Sequence, residues 1–157
     1  MGLEIERKYL LKDDSWRSQV TRACEITQAY FCPNPEYTLR IRIIDQKKAL
    51  ITLKGRSHHL TRKEFEYEIP LDDAQDLIQS FCDTRILHKR RHYILQDTNT
   101  WEIDEYFGRL KGFYTAEIEL QHEDAFFPKP AWLGREISNE HKYSNQRLAS
   151  GSDISIP

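Results

Sequence analysis

The sequence predicts an α+β protein in which about eight antiparallel strands form most of the fold and short helices flank them. Short segments alternate between apolar and charged side chains, which is the period of a strand with two different faces. Polar turns such as Pro33-Asn34-Pro35 and residues 45–48 separate these segments, and turns of this length join antiparallel neighbours. A sheet of about eight strands can close into a barrel whose interior admits side chains or one small ligand.

The opening strand, residues 4–11, places two carboxylates on one face. Glu4, Glu6 and Lys8 alternate with mainly apolar side chains, so they lie on the same side of the strand. Carboxylates two residues apart repel each other unless a cation lies between them, and oxygen ligands suit Mg²⁺ and Mn²⁺. A single pair of this kind is more typical of a solvent-facing strand than of a metal site. The interpretation as a metal site becomes more favourable because the carboxylate pairs recur along the chain.

The later strands carry charges of both signs. They are expected at residues 25–31, 37–44, 49–54, 62–69, 85–95, 100–107 and 113–121. Gln28 and Tyr30 share one face of the second strand, and the pattern leaves open whether that face lines an interior. The strand at 85–95 is basic, so its composition does not distinguish its two faces.

Helices are expected at three places. Asp13 or Asp14 is a candidate N-cap for a short helix that carries Trp16. Asp72 or Asp73 is expected to cap the clearest helix, which follows the i, i+3, i+4, i+7 rule. Its apolar positions are Ala74, Leu77, Ile78 and Phe81. A third short helix is expected near residues 145–149.

Carboxylates and bases recur as pairs two residues apart and mostly occupy different strands. The carboxylate pairs are Glu4/Glu6, Glu64/Glu66 and Glu117/Glu119, and the basic pairs are Arg40/Arg42 and Lys89/Arg91. A surface that serves solubility tends instead to intersperse the two signs. Two architectures fit this pattern: a barrel with an apolar interior, or a tunnel with charges inside and apolar faces outside. A charged tunnel would suit a polyanion and its metal.

Composition narrows the class of protein. The chain has 157 residues, 31% of them charged, and a formal net charge of −2. This balance disfavours a nucleic-acid partner, which would require a basic excess. The three cysteines show no framework spacing and no apolar run is long enough to span a membrane. We therefore expect a cytoplasmic protein with no membrane or nucleic-acid partner, whereas the sequence does not predict an oligomeric state.

Several motifs together resemble one known family. Glu4-x-Glu6-x-Lys8 resembles the ExExK signature of the CYTH family, the triphosphate tunnel metalloenzymes. The resemblance extends along residues 1–157 as a single domain. Its other parts are Leu39-Arg40-Ile41-Arg42, Thr52-Leu53-Lys54, Arg62-x-Glu64-x-Glu66, Lys89-x-Arg91, Asp104-x-x-x-Gly108, Glu117-x-Glu119, Trp132-x-Gly134-x-Glu136 and Lys142-Tyr143. One departure is His141, where the family pattern leads us to expect Arg or Lys.

The resemblance implies an architecture and a set of roles. It implies a closed eight-stranded antiparallel barrel, a tunnel with a charged interior. The metal ligands for Mg²⁺ or Mn²⁺ would be Glu4, Glu6, Glu117 and Glu119. The residues that bind the triphosphate would be Lys8, Arg40, Arg42, Lys54, Arg62, Lys89, Arg91 and Lys142. The catalytic residues would be Lys8, Glu64, Glu66 and Asp104.

The implied activity is metal-dependent hydrolysis of the terminal phosphate of a triphosphate. Catalysis of phosphoryl transfer depends mainly on positioning the substrate and neutralising its charge, and such a tunnel can provide both. Inorganic tripolyphosphate is the favoured substrate because the chain is short and shows no evident pocket for a base. Thiamine triphosphate and ATP are alternative substrates, an adenylyl cyclase is an alternative enzyme, and a polyphosphate or nucleotide sensor is the non-enzymatic alternative.

Overall fold

A computed structural model describes residues 2–156 and shows an antiparallel β fold with short helices. The strands in this range are β1 (Gly2–Leu11), β2 (Arg22–Tyr30), β3 (Tyr37–Ile44), β4 (Lys48–Gly55), β5 (Thr61–Ile69), β6 (Ile86–Gln96), β7 (Asn99–Tyr106), β8 (Tyr114–Glu119) and β9 (Leu133–Glu136). The helices are α1 (Leu71–Leu77) and α2 (Asn145–Ala149), with a π-helical turn at Ile78–Cys82 and 3-10 turns at Ser15–Gln19, Gly108–Leu110 and His141–Tyr143.

Eight of these strands close into a barrel. The strand order is β5-β4-β3-β2-β6-β7-β8-β1, and β1 pairs back onto β5 with Glu4 opposite Arg62. Every pairing within residues 2–156 that joins two of these strands is antiparallel. The predicted closed antiparallel barrel is therefore confirmed.

The ninth strand was missed by the sequence analysis. β9 has four residues and pairs with the end of β1, where Tyr9 lies opposite Glu136. Its backbone approaches β1 so closely that a Cβ on Gly134 would lie 2.8 Å from the carbonyl oxygen of Leu10. Glycine is required there because any side chain would collide with the main chain of β1.

Most of the apolar core lies outside the barrel, between the sheet and the segments that cover it. One cluster joins β1, β6, β7 and β8 to the tail and consists of Tyr9, Trp16, Ile94, Trp101, Ile103, Ala116, Ile118, Leu120, Phe127 and Trp132. A second cluster packs the inward-facing Tyr30, Leu87 and Tyr106 against Tyr143 and Leu148 of the C-terminal segment. A third lies beneath α1, on the outer face of the barrel, and includes Ile41 and Ala74. Each large apolar side chain buried in this way stabilises the fold by about 1.5–3 kcal/mol. Of the two architectures left open by the strand pattern, the structure shows the charged interior.

The helices agree with the sequence in place but not in detail. α2 has the expected bounds, whereas α1 begins at Leu71 with Pro70 as its N-cap, so the predicted Asp72 or Asp73 cap was wrong. The π-helical turn that follows α1 inserts an extra residue into the helical period. Phe81 consequently leaves the buried face and is exposed, where it stacks on Phe31.

No helix within residues 2–156 is long and apolar enough to cross a membrane. The barrel and its coverings extend over the described range, and the first and last residues of the predicted domain, Met1 and Pro157, lie outside it.

Candidate active site

The barrel encloses a cavity of about 840 Å³ whose wall is mainly charged. Successive side chains of each strand point alternately toward this cavity and toward the outer apolar layer. The charged residues that line it from the barrel strands are Glu4, Glu6, Lys8, Arg40, Arg42, Lys54, Arg62, Glu64, Glu66, Arg91, Glu102, Glu117 and Glu119. The cavity therefore contains most of the predicted site residues.

Arg40 on β3 is a buried cation with an unused donor. Its side chain reaches Glu66 only at 3.7 Å, and its Nε has no hydrogen-bond partner within the described structure. A buried N–H without a partner is costly, so the site favours a ligand that accepts a hydrogen bond. The guanidinium group presents a planar set of donors that matches a phosphate group.

Glu4 on β1 connects two cations from neighbouring strands. Lys54 Nζ donates to both carboxylate oxygens of Glu4 at 2.8 and 2.9 Å, and Arg62 Nε donates to one of them at 3.0 Å. Burial opposes the ionisation of Glu4, but the charges of Lys54 and Arg62 outweigh it and lower its pKa to about 2. Glu4 is therefore ionised, and its carboxylate oxygens are already paired with Lys54 and Arg62.

Glu6 and Glu119 have no such partner. They lie opposite each other in the pairing of β1 with β8, and neither has a cationic side chain within 4.0 Å among the described residues. Burial and the neighbouring Glu117 raise the pKa of Glu6 to about 8, and burial followed by the charge of Glu4 raises the pKa of Glu119. These carboxylates face a space in which a cation would relieve their repulsion.

Glu117 differs from these two because Lys8 lies beside it. Lys8 Nζ is 3.4 Å from Glu117 and also donates to the carbonyl oxygen of Tyr143 at 2.8 Å. Burial opposes ionisation of Glu117, but the charges of Lys8 and Arg91 lower its pKa to about 2. Lys8 thus connects the carboxylate side of the cavity to the C-terminal segment.

Asp104 and Lys89 are not among the residues of the cavity wall, and their predicted direct roles stay predictions. β6 and β7 place Arg91 opposite Asp104, and the Asp104 carboxylate accepts hydrogen bonds from Arg91 Nε at 2.7 Å and Nη2 at 2.9 Å. Lys89 Nζ donates to the same carboxylate at 2.7 Å, and Asp104 and Lys89 are each 1% exposed. Burial opposes ionisation, but these two cations hold the pKa of Asp104 well below its ordinary value. Asp104 therefore orients Arg91, which does line the cavity.

The predicted phosphate contact of Lys142 also stays a prediction. Its side chain is exposed, lies 5.0 Å from the ring of Tyr143 and does not contribute to the cavity wall. The 3-10 turn at His141–Tyr143 sends Tyr143 inward to stack on Phe113 and thereby turns Lys142 outward. Arg147 on α2 lines the cavity at this end instead.

Some cavity residues had little or no signal in the sequence. Glu102 forms an ion pair with Arg91, and its position two residues before Asp104 on the same strand face could have indicated it. Arg147 belongs to a five-residue helix that carries no motif, so it could not have been found. Gln28 and Tyr30 face inward, and only the shared strand face indicated them.

Taken together, the fold and the site define a closed barrel with a charged cavity inside it. Several cations share the cavity with two carboxylates, Glu6 and Glu119, that have no cationic partner among residues 2–156. This arrangement is expected for a phosphate chain accompanied by a metal ion. The chain belongs to the CYTH family: the model of the CYTH domain matches residues 2–153.

Characterised relatives agree with this assignment. The chain is 35% identical over 148 residues to an inorganic triphosphatase of Acetivibrio thermocellus, with 94% of each chain covered. It is 30% identical over 158 residues to an inorganic triphosphatase of Nitrosomonas europaea, with 98% of this chain and 99% of the relative covered. A solved structure of an inorganic triphosphatase superposes with a TM-score of 0.64 at 30% identity and covers 98% of this chain and 96% of its own.

Proposed function

We propose that this protein hydrolyses triphosphates to release the terminal phosphate, with inorganic tripolyphosphate as its preferred substrate. The observation that carries the proposal is the cavity of the closed barrel, which contains the unpaired Nε of Arg40 and the carboxylates of Glu6 and Glu119, both without a cationic partner among the described residues. The relatives named inorganic triphosphatase support the same substrate class.

In this proposal the cations of β1 and β3–β6 bind the substrate. Those that line the cavity are Lys8, Arg40, Arg42, Lys54, Arg62 and Arg91. Several guanidinium groups converging on one chain of phosphates can offset its charge and hold the terminal phosphorus in line for attack. Lys89 contributes through Asp104, which holds Arg91, and a direct phosphate contact by the exposed Lys142 stays a prediction.

The donor set at Glu6 and Glu119 fits a divalent cation. Carboxylate oxygens suit Mg²⁺ or Mn²⁺, and such an ion would polarise the phosphoryl oxygens when bound. Within residues 2–156 no three acidic, histidine or cysteine side chains converge into a preformed metal site. This agrees with Mg²⁺ held by one or two carboxylates, its other ligands being water and substrate phosphates. Direct ligation by Glu4 and Glu117, which are paired with cations here, stays a prediction.

Glu64 is the best placed of the three candidate bases. It lines the cavity 3.9 Å from Lys54, and burial raises its pKa, which makes its carboxylate a stronger base. Glu66 accepts a hydrogen bond from Thr52 at 2.7 Å and lies beside Arg40, so it is engaged in holding those groups. Asp104 is buried, accepts hydrogen bonds from Lys89 and Arg91 and has a lowered pKa, so it is poorly suited to accept a proton from water.

Replacing Glu64 by Gln is therefore expected to lower kcat by about 100-fold with little change in KM, because general-base catalysis contributes at least that much. Steady-state orthophosphate release from tripolyphosphate measures both constants. Glu66→Gln is the matched comparison, since it removes a carboxylate from the same strand face and should mainly raise KM. If Glu66→Gln instead lowers kcat and Glu64→Gln mainly raises KM, Glu66 is the base.

The proposed activity is tested by measuring phosphate and pyrophosphate release from tripolyphosphate, ATP and thiamine triphosphate, with and without Mg²⁺ or Mn²⁺. Metal-dependent orthophosphate release that is fastest with tripolyphosphate is the expected result. Faster release from ATP or thiamine triphosphate would reassign the substrate, and pyrophosphate with a cyclic nucleotide would indicate a cyclase. No release with any substrate would favour a sensor.

We also propose the cytoplasm as the compartment. All three cysteines are free, including the exposed Cys32, which fits a reducing environment. The formal net charge of −2 disfavours a nucleic-acid partner.

A further inference from the structure

Gln28 and Tyr30 form a pair of inward-facing residues on β2 to which the family resemblance assigns no role. The pairing of β2 with β3 places Gln28 opposite Arg42 and Tyr30 opposite Arg40, the two arginines of the basic pair. Gln28 is 0% exposed and Tyr30 is 2% exposed, and Tyr30 lines the cavity. A buried amide in this position must satisfy its donors and its acceptor within the protein.

The direction of each hydrogen bond follows from chemistry. Arg42 Nε donates to Gln28 Oε1 at 2.9 Å, and arginine has no acceptor, so the amide oxygen must face Arg42. The amide nitrogen of Gln28 then faces Tyr30 Oη and donates to it. Because an amide nitrogen can only donate, the Tyr30 hydroxyl must accept this bond.

The hydroxyl proton of Tyr30 is therefore left for another acceptor. Within the described residues, Tyr30 Oη has no recorded partner other than Gln28. The side chain borders the cavity that contains the unpaired Nε of Arg40. Tyr30 thus presents a neutral donor beside two cationic ones.

Gln28 also leaves the charge of Arg42 uncompensated. The other cations that line the cavity from the barrel strands each have a carboxylate oxygen within 4.0 Å; these are Lys8, Arg40, Lys54, Arg62 and Arg91. Arg42 has no such partner in the described part of the chain and is held by a neutral amide. An amide orients the guanidinium group without cancelling the charge that attracts an anion.

We propose that Tyr30 is a substrate-binding residue that donates its hydroxyl hydrogen to a phosphate oxygen, and that Gln28 is a positioning residue that orients Tyr30 and Arg42 toward that phosphate. This inference rests on the proposed function, because the anion it describes is the triphosphate. It adds a neutral contact to a site otherwise made of charges.

Replacing Tyr30 by Phe should weaken tripolyphosphate binding about tenfold, since a hydrogen bond to a charged group contributes about that factor. The expected kinetic result is a higher KM with kcat nearly unchanged. Tyr114→Phe is the matched control: Tyr114 accepts a hydrogen bond from Arg17 on the outer surface and does not line the cavity.

Replacing Gln28 by Glu provides a sharper test. A carboxylate at this position accepts from both neighbours, so it would neutralise Arg42 and turn the Tyr30 hydroxyl away from the substrate. Binding should weaken more than in Gln28→Met, which removes the hydrogen bonds but leaves the Tyr30 proton free. Melting temperatures without ligand show whether each variant is folded.

The double variant separates a binding role from a structural one. In the Gln28→Glu background, Tyr30→Phe should cause no further loss of affinity, because the hydroxyl already points away from the substrate. The inference would be overturned if Tyr30→Phe left KM unchanged. It would also be overturned if Tyr30→Phe weakened tripolyphosphate affinity equally in the wild type and in Gln28→Glu. Calorimetric titration with tripolyphosphate in the absence of a divalent ion measures affinity separately from turnover. If the wild-type protein binds tripolyphosphate in this titration but does not hydrolyse it when Mg²⁺ is added, only the proposed activity is contradicted.

Discussion

Replacing Asp104 by Ala is expected to destabilise the protein by about 3–5 kcal/mol and to abolish most of its activity, because two buried cations lose their partner. The Asp104 carboxylate accepts three hydrogen bonds of 2.7–2.9 Å, one from Lys89 and two from Arg91. The side chain of Lys89 is 0% exposed, so water cannot replace the lost carboxylate. Denaturant unfolding measures the loss of stability, and tripolyphosphate hydrolysis measures the loss of activity.

Glu25→Ala is the matched control because Glu25 pairs with Arg90 on the exposed face of neighbouring strands. Exposed ion pairs contribute about 0–1 kcal/mol, so this variant should retain nearly full stability. A stable Asp104→Ala protein whose need for added Mg²⁺ has increased would indicate that Asp104 acts as a metal ligand, contrary to the arrangement described.

The same carboxylate should contribute to acid sensitivity. Its pKa in the folded state lies well below the ordinary value, because Arg91 and Lys89 outweigh the effect of burial. Such a group stabilises the fold above its ordinary pKa of about 4, and this stability is lost as the pH falls below that value. The stability of Asp104→Asn should therefore depend less on pH in this acidic range than that of the wild type.

Replacing Glu6 by Gln is expected to abolish metal-dependent turnover and yet to stabilise the ligand-free protein. Loss of a group that stabilises transition-state charge typically costs about 100- to 1,000-fold in kcat. The variant also removes a carboxyl that burial and Glu117 hold at a pKa of about 8. At pH 8 and above, the gain in unfolding free energy should be about 1–3 kcal/mol, allowing for solvent screening.

The sign of the pH dependence distinguishes this effect from that of Asp104. Because the pKa of Glu6 in the folded state is raised, its contribution to stability is present below its ordinary pKa of about 4 and is lost as the pH rises toward about 8. The wild type should therefore lose stability over this range, and Glu6→Gln should lose less. Added Mg²⁺ should reduce the loss in the wild type, because an ion bound only by the folded state stabilises it.

Glu68→Gln serves as the control for Glu6→Gln. Glu68 belongs to β5, is exposed beside Lys48 and does not line the cavity. Its replacement should change neither turnover nor the pH dependence of stability. Full activity in Glu6→Gln at low Mg²⁺ concentration would show that the ion binds elsewhere.

The barrel could be predicted because strand alternation separates charged from apolar side chains so clearly. β3 has the bounds that the alternation of Leu39, Ile41 and Ile43 with Arg40 and Arg42 predicted. The pattern alone did not decide which face points inward, since a sheet with either face buried has the same period. The family resemblance supplied that choice, and the two apolar clusters on the outer face of the barrel agree with it.

Pairing between distant residues explains what the sequence could not reveal. Asp104 and Arg91 are thirteen residues apart, and only the register of β6 against β7 shows that the carboxylate of Asp104 binds Arg91. β9 is too short to carry a periodic signal, and the orientation of Lys142 depends on a 3-10 turn set by the packing of Tyr143. Gln28 is a polar residue whose role depends entirely on its two neighbours across and along the sheet.

The location of bound tripolyphosphate would test the charged interior most directly. A crystal structure of Glu119→Gln with tripolyphosphate and Mg²⁺ suits this purpose, because we expect that variant to bind substrate with little turnover. The phosphate chain should lie inside the barrel, within hydrogen-bond distance of Arg40, Arg42 and Arg91. A chain bound only at the rim or on the outer surface, with these arginines in the same contacts as in the ligand-free protein, would contradict the proposed site.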